Sequence, residues 1–138
     1  MINKVFLKIH DFDCSIEIIS ETLKLLPTKA WLKGESFQNV TGIHTRKNSL
    51  WQLQADIAEE KPIEEHIKYM IDLIKLKSDA LKQLTEKYES EFTILSKCNE
   101  KDEFNYGFYL DKFSLAVISD AGLNLDMDVY FLPKSEIK

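Results

Sequence analysis

The apolar residues of this chain keep two different spacings and switch repeatedly between them, which restricts the fold to strands and helices packed around a shared core. Val5, Leu7 and Ile9 alternate with Lys4, Phe6, Lys8 and His10, so residues 4–10 read as a half-buried strand. Ile16, Ile19, Leu23 and Leu26 then recur at helical spacing, with Asp11 or Asp13 placed to cap that helix. Pro27 disfavours a helical residue before it, so the helix is expected to end near Leu25. Residues 29–36 read as a strand or extended segment in which Gly34 is a break. The polar run 36–48 reads as a loop or hairpin tip. Leu50 to Ala55 reads as a strand that pairs with the first side of that hairpin.

The second half repeats the alternation. Pro62 suits a first helical position, and Glu64 and Glu65 favour the positive end of the helix dipole. Ile63, Ile67, Met70, Ile71 and Ile74 mark one face, which Leu81, Leu84 and Tyr88 continue. The pattern allows one helix from 62 to about 88, or a break near Lys77-Ser78-Asp79 where Ser78-Asp79 can cap a second segment. Residues 91–96 and 105–110 read as strands, with a charged turn at 99–103 between them. Asp111 can cap a short helix from Lys112 to Ala121, with Gly122 just beyond its end. Leu125, Met127, Val129 and Phe131 alternate with Asp126, Asp128 and Tyr130, which predicts a half-buried strand. Residues 15–21 and 114–120 echo each other, so the two ends are candidates for a β-α-β pseudo-repeat.

These elements predict an α+β fold in a single domain, residues 1–138. A mostly antiparallel or mixed sheet of about five or six strands would pack against one long and two short helices. Pro27, Trp31, Gly34 and Trp51 are the expected structural anchors. Trp31, Trp51, Phe108 and Tyr130 are the aromatic core candidates.

Charge narrows the function. Residues 1–85 carry 12 basic and 12 acidic side chains, whereas residues 86–138 carry 6 and 11, so the net charge of -5 resides in the last third. Arg46 is the only arginine. Guanine and phosphate recognition favour arginine, so this balance argues against nucleic acid as a partner and suits a basic protein. No apolar run approaches the ~20 residues of a membrane span, and the N-terminus meets charge too early for a signal peptide. The cytoplasm is the expected compartment. Cys14 and Cys98 lie far apart and read as apolar residues rather than a disulfide or zinc pair.

The run Leu26-Pro27-Thr28-Lys29-Ala30-Trp31 with Lys33-Gly34-Glu35 resembles the bacterial family known as domain of unknown function 4279. Trp51, Glu65-His66-Ile67, Gly107-Phe108-Tyr109-Leu110 and Leu125-Asp126-Met127-Asp128-Val129-Tyr130 follow in order and extend the likeness over nearly the whole chain. The resemblance implies a small stand-alone bacterial protein of mixed α and β structure. It implies no catalytic residues to carry over.

The residues themselves supply no recognisable catalytic constellation. A nucleophile triad needs a histidine and an orienting carboxylate beside the nucleophile. His10, His44 and His66 stand in no such motif. Asp11/Asp13 and Asp126/Asp128 could each hold a cation or share a proton, but turn, cap and solvated-strand roles explain them more simply. The four glycines stand apart, so no phosphate loop can be built and no cofactor is expected. Lys29 and Lys33 flank Trp31, an arrangement that suits stacking but is more often an aromatic anchor.

The reading is therefore a non-enzymatic protein-binding module, in its finer form an immunity-type protein that neutralises a basic toxin. Its candidate contact residues are His44, Arg46, Asp111, Asp126 and Asp128. The alternative is a small-ligand binder or an undiscovered enzyme with its site near Trp31, His44 and Arg46. An exposed hairpin edge could also pair with a second copy.

Overall fold

A computed structural model describes residues 1–99 and 107–132. The chain forms β1 (Ile2–His10), α1 (Ile16–Leu23), β2 (Lys29–Trp31), β3 (Ser36–Asn39), β4 (Gly42–Thr45) and β5 (Leu50–Gln54). There follow α2 (Ile63–Leu76), α3 (Ser78–Thr85), β6 (Ser90–Asn99), α4 (Lys112–Asp120) and β7 (Asn124–Leu132). Five strands make one mixed sheet in the order β2-β5-β1-β6-β7, and β3 and β4 make a separate two-stranded hairpin. All pairings in the large sheet are antiparallel except β6 with β7. The fold is α+β.

Register decides which residues meet the helices. Val5 lies opposite Ile94, Leu7 opposite Phe92 and Leu53, and Ile9 opposite Trp51. Because side chains alternate across a strand, these residues share one face. The core-facing stripe of α2, Ile63, Ile67, Met70, Ile71 and Ile74, joins the same buried cluster as Val5, Leu7, Ile9, Phe92 and Ile94. Ile19 and Leu23 of α1, Leu81 and Leu84 of α3, and Ile118 of α4 join it. Each fully buried aliphatic side chain contributes about 1.5–3 kcal/mol. Trp51 is wholly buried, and its indole N–H donates to Ser20 Oγ at 3.1 Å, which fixes α1 against β5.

The opposite face of the sheet has no helix over it among the described residues. It carries Lys4, Phe6, Lys8 and His10 from β1, opposite Leu95, Thr93 and Glu91 of β6. Lysine stems shield its apolar residues, as where Lys8 Nζ lies 5.4 Å from the Phe6 ring centroid. His10 pairs with Glu91 across β1 and β6.

Several local expectations need correction. Ser15, not Asp11 or Asp13, caps α1, its hydroxyl accepting from Ile18 N–H. Asp11 instead closes β1 in the left-handed region (φ 53°), and Asp13 accepts the Tyr88 hydroxyl at 2.7 Å. That bond to Asp13 keeps the Tyr88 phenol protonated and raises its pKa. The first helix ends one turn before Pro27, because Lys24 turns left-handed (φ 55°) and its N–H closes on Ser20 O. Leu26 consequently leaves the apolar stripe and is exposed. Pro62 is the residue before α2 rather than its first helical residue.

The long helical pattern is broken at Lys77, whose backbone (φ −105°, ψ 14°) is not helical. Neither Ser78 nor Asp79 caps the second piece with its side chain. Residues 107–110 are not strand, and residues 105, 106 and most of the charged turn lie outside the described residues. Phe108 packs against the core, but Tyr130 is 47% exposed and Trp31 only half-buried. The polar run after Gly34 is a true hairpin, with Phe37 opposite His44 across the Val40-Thr41 tip.

The pseudo-repeat is visible as direction rather than as adjacency. β1-α1-β2 and β6-α4-β7 both join strands that run the same way, but β5 inserts between β1 and β2 while β6 and β7 are neighbours. At the second stop signal, Gly122 (φ 80°) lies where a Cβ would meet Thr85 Oγ1 at 2.5 Å.

His66, on the core side of α2, is fully buried, and neither ring nitrogen has a hydrogen-bond partner among the described residues. Replacing a buried unpaired polar group by an apolar one of similar size removes a desolvation cost of about 1–3 kcal/mol. His66→Leu is therefore expected to raise the unfolding free energy measured by urea denaturation. A clear loss of stability would show that the ring is bonded.

Candidate functional site

Four of the five contact candidates divide between the two edges of the sheet. β2 and β7 are separated by four strand spacings, roughly 19 Å at about 4.8 Å each. His44 and Arg46 lie beside the β2 edge, Asp126 and Asp128 lie on β7, and Asp111 lies in the helix layer at the start of α4.

At the β2 edge, the turn chemistry of the chain builds a stack. Thr28 N–H donates to Gln52 O at 2.8 Å, and Thr28 Oγ1 accepts from Gln54 N–H at 2.9 Å, so the segment after Pro27 is tied to β5. Ala30 lies opposite the buried Trp51, which sends its neighbours Lys29 and Trp31 to the uncovered face. Trp31 donates its indole N–H to Asn48 O at 3.1 Å. Gly34, with φ 93°, turns the chain back so that its N–H reaches Arg46 O at 2.9 Å and Arg46 N–H reaches Glu35 O at 2.7 Å.

That register brings the Arg46 guanidinium between two rings. Its Cζ lies 3.6 Å from the Trp31 ring centroid and 3.8 Å from that of Phe37. Each exposed cation–π contact of this kind is worth about 0.5–1 kcal/mol. Phe37 in turn packs on His44 at 5.4 Å between centroids. His44 Nε2 is 2.7 Å from Thr41 Oγ1 and 3.0 Å from Asn39 Oδ1, so the imidazole is tied to the hairpin tip. Lys29 Nζ lies 5.7 Å from the Trp31 ring centroid. Trp31, Phe37, His44 and Arg46 border a shallow concavity of about 330 Å³.

The β7 edge has a different character. Ile94 opposite Met127 and Ser96 opposite Val129 put Met127 and Val129 on the helix-covered face of the sheet. Both remain exposed, because α4 leaves the outer margin of β7 uncovered. Thr93 opposite Asp126 and Leu95 opposite Asp128 put the two aspartates and Tyr130 on the uncovered face. There Asp128 and Tyr130 border a groove of about 350 Å³ with Phe6, Lys8, Leu95 and Lys97. Tyr109, Phe113 and Val117 line a second groove, of about 440 Å³, against Ile67 and Ile71 of α2. Tyr109 and Phe113 are themselves largely exposed.

Asp111 borders that second groove, but its carboxylate is already engaged. It accepts the Ser114 N–H at 2.7 Å as the N-cap of α4. The bond to Ser114 holds its pKa below the usual aspartate range. Among the described residues, no three histidine, cysteine or acidic side chains gather in a way that could hold a metal ion. No described helix is long and apolar enough to cross a membrane.

Sequence reasoning did not single out Phe37, Tyr109, Phe113, Met127 or Val129 as surface-forming. Phe37 had a signal: it sits as far before the Val40-Thr41 tip as His44 sits after it. Met127 and Val129 read as the buried side of their strand, because alternation does not reveal which side of an element is left uncovered.

The arrangement defines a two-layer α+β protein with helices over one sheet face, a cation-bearing aromatic stack at one edge and an acidic, apolar strand at the other. The chain matches the family described as domain of unknown function, DUF4279, over residues 2–132, and it belongs to that family. Neither curated proteins nor solved structures gave a match.

The Asp111 cap gives a pH prediction. A carboxylate whose folded pKa is lowered contributes stability that is fully present above the unfolded pKa and lost as pH falls through the folded one. Asp111→Ala should lower the thermal midpoint near neutrality, and the deficit should shrink as pH falls below the ordinary aspartate range. Asp111→Asn retains a capping oxygen and should melt close to the parent. A deficit independent of pH would contradict the capping account.

Proposed function

We propose that this protein is a protein-binding module that takes a strand or loop of a basic partner onto the outer edge of β7. The length and chemistry of that edge carry the reading. Proteins blunt their free sheet edges with short strands, lysine or proline. The β2 edge follows this rule, being three residues long and carrying Lys29. The β7 edge does not: it is nine residues long, with neither lysine nor proline, and no described strand pairs with its outer side. Met127 is 53% exposed and Val129 39%, so the edge offers apolar contact as well as backbone hydrogen bonds.

Charge selects the class of partner. Residues 113–132 contain Asp120, Asp126 and Asp128 and no basic side chain. Asp126 and Asp128 flank the edge on its uncovered face, where a lysine- or arginine-bearing segment would find opposite charge and be steered to it. In its finer form the reading is an immunity-type protein of the bacterial cytoplasm whose partner is a basic toxin encoded next to it.

Val129→Lys places a charge in the apolar centre of the edge, and Asp126→Lys/Asp128→Lys reverses its sign. Each is expected to weaken binding to the product of the adjacent gene by more than about tenfold, measured by calorimetry, with the thermal midpoint nearly unchanged. Undiminished binding by both variants would exclude this edge. A dimer in light scattering that Val129→Lys dissolves would assign the edge to a second copy instead.

A further inference from the structure

We propose that the Arg46 stack is an anion-binding site that takes the phosphate or carboxylate group of a small ligand. Three observations carry it, and none involves β7. First, the Trp31 and Phe37 ring centroids lie 3.6 and 3.8 Å from the Arg46 guanidinium carbon, which restrains its orientation. A planar fork fixed in this way is prepared for bidentate contact with an oxyanion, and little side-chain freedom remains to be lost on binding.

Second, the guanidinium N–H donors have no partner among the described residues. Among the described residues no carboxylate or carbonyl accepts from the guanidinium, although a charge-assisted bond to an acid is the usual partner of an ordered arginine. Glu35 meets Arg46 only through the backbone.

Third, the local charge is strongly positive in an otherwise acidic protein. Residues 22–55 hold Lys24, Lys29, Lys33, Arg46 and Lys47 against the single acid Glu35. Lys47 lines the same concavity as Arg46, and Lys29 lies against the Trp31 ring. A cationic recess with apolar walls concentrates anions. Its volume of about 330 Å³ is at the small end of ligand sites, which suits a compact anion rather than a large cofactor. Stapling of the hairpin to β2 accounts for the stacking, but it leaves the guanidinium donors and the surrounding lysines without a role.

Arg46 is the only arginine, so its side-chain Nε–H gives one NMR resonance that reports on this site alone. The experiment titrates the intact protein with inorganic phosphate and, separately, glutarate, against sodium chloride at matched ionic strength. The expected result is a saturable shift of the Arg46 signal by at least one of the two anions, half-complete at millimolar concentration, and none by chloride. Saturation by phosphate alone marks a phosphate-bearing ligand, and saturation by glutarate alone a carboxylate.

Arg46→Lys keeps the charge but loses the fork. It should weaken the anion-induced shifts of the Thr45 and Lys47 amides by about tenfold. Lys47→Gln leaves the stack intact and should weaken binding by roughly threefold through the lost charge. Two results would overturn the proposal: a linear shift that chloride reproduces, or saturation that neither substitution alters.

Discussion

Everything in this structure depends on one packing interaction, the apolar stripe of α2 laid against a single face of β1 and β6. Ile63, Ile67, Met70, Ile71 and Ile74 meet Val5, Leu7, Ile9, Phe92 and Ile94, and the other helices extend the same buried layer. Helix α1 joins through Ile19, Leu23 and the Ser20–Trp51 hydrogen bond. Helix α4 joins through Ile118, with Asp111 fixing its start and Gly122 its end. Burial that is confined to one face has a structural price, since the other face and both edges of the sheet must meet water with their own side chains.

The chain meets that requirement differently at the three boundaries that no described helix or strand covers. On the uncovered face, the Lys8 stem lies over Phe6, and His10 pairs with Glu91. At the β2 edge the strand is short, and the hairpin folds back so that Arg46 clasps Trp31 and Phe37. At the β7 edge a long strand keeps exposed apolar residues on the helix-covered side and aspartates on the other. The molecule is thus electrically polar across the sheet, basic at the hairpin and acidic at β7. The two functional readings follow that polarity, one edge for a basic protein partner and the other for a small anion.

Much of this was legible in the residues. Strict alternation located β1, and the spacing of isoleucines gave the core face of α2. Asp111 and Gly122 marked both ends of α4, because a carboxylate before a helix and a glycine after it satisfy backbone groups that otherwise lack partners. The membership in the DUF4279 family was also readable, from the proline-threonine-tryptophan-glycine block onward.

What escaped the sequence was every feature that depends on the neighbour of an element. The alternation in β7 predicts two unlike faces, but only its place at the sheet margin, parallel to β6, decides that Met127, Val129 and Tyr130 stay exposed. The contact candidates came from two parts of the chain, and only the strand order shows that His44 and Arg46 lie beside β2 while Asp126 and Asp128 lie on β7, at the other margin of the sheet. Phe37 was invisible as a partner of Arg46 because their meeting requires both the Gly34 turn and the hairpin register. Native-state hydrogen exchange resolved by residue tests the one-sided architecture most directly. Amides of β1 and β6 should exchange only through global unfolding, while those of β7 that do not bond to β6 should exchange far faster through local exposure. Equal protection across β7 and β1 would contradict an open edge and, with it, the account of how this fold presents itself to a partner.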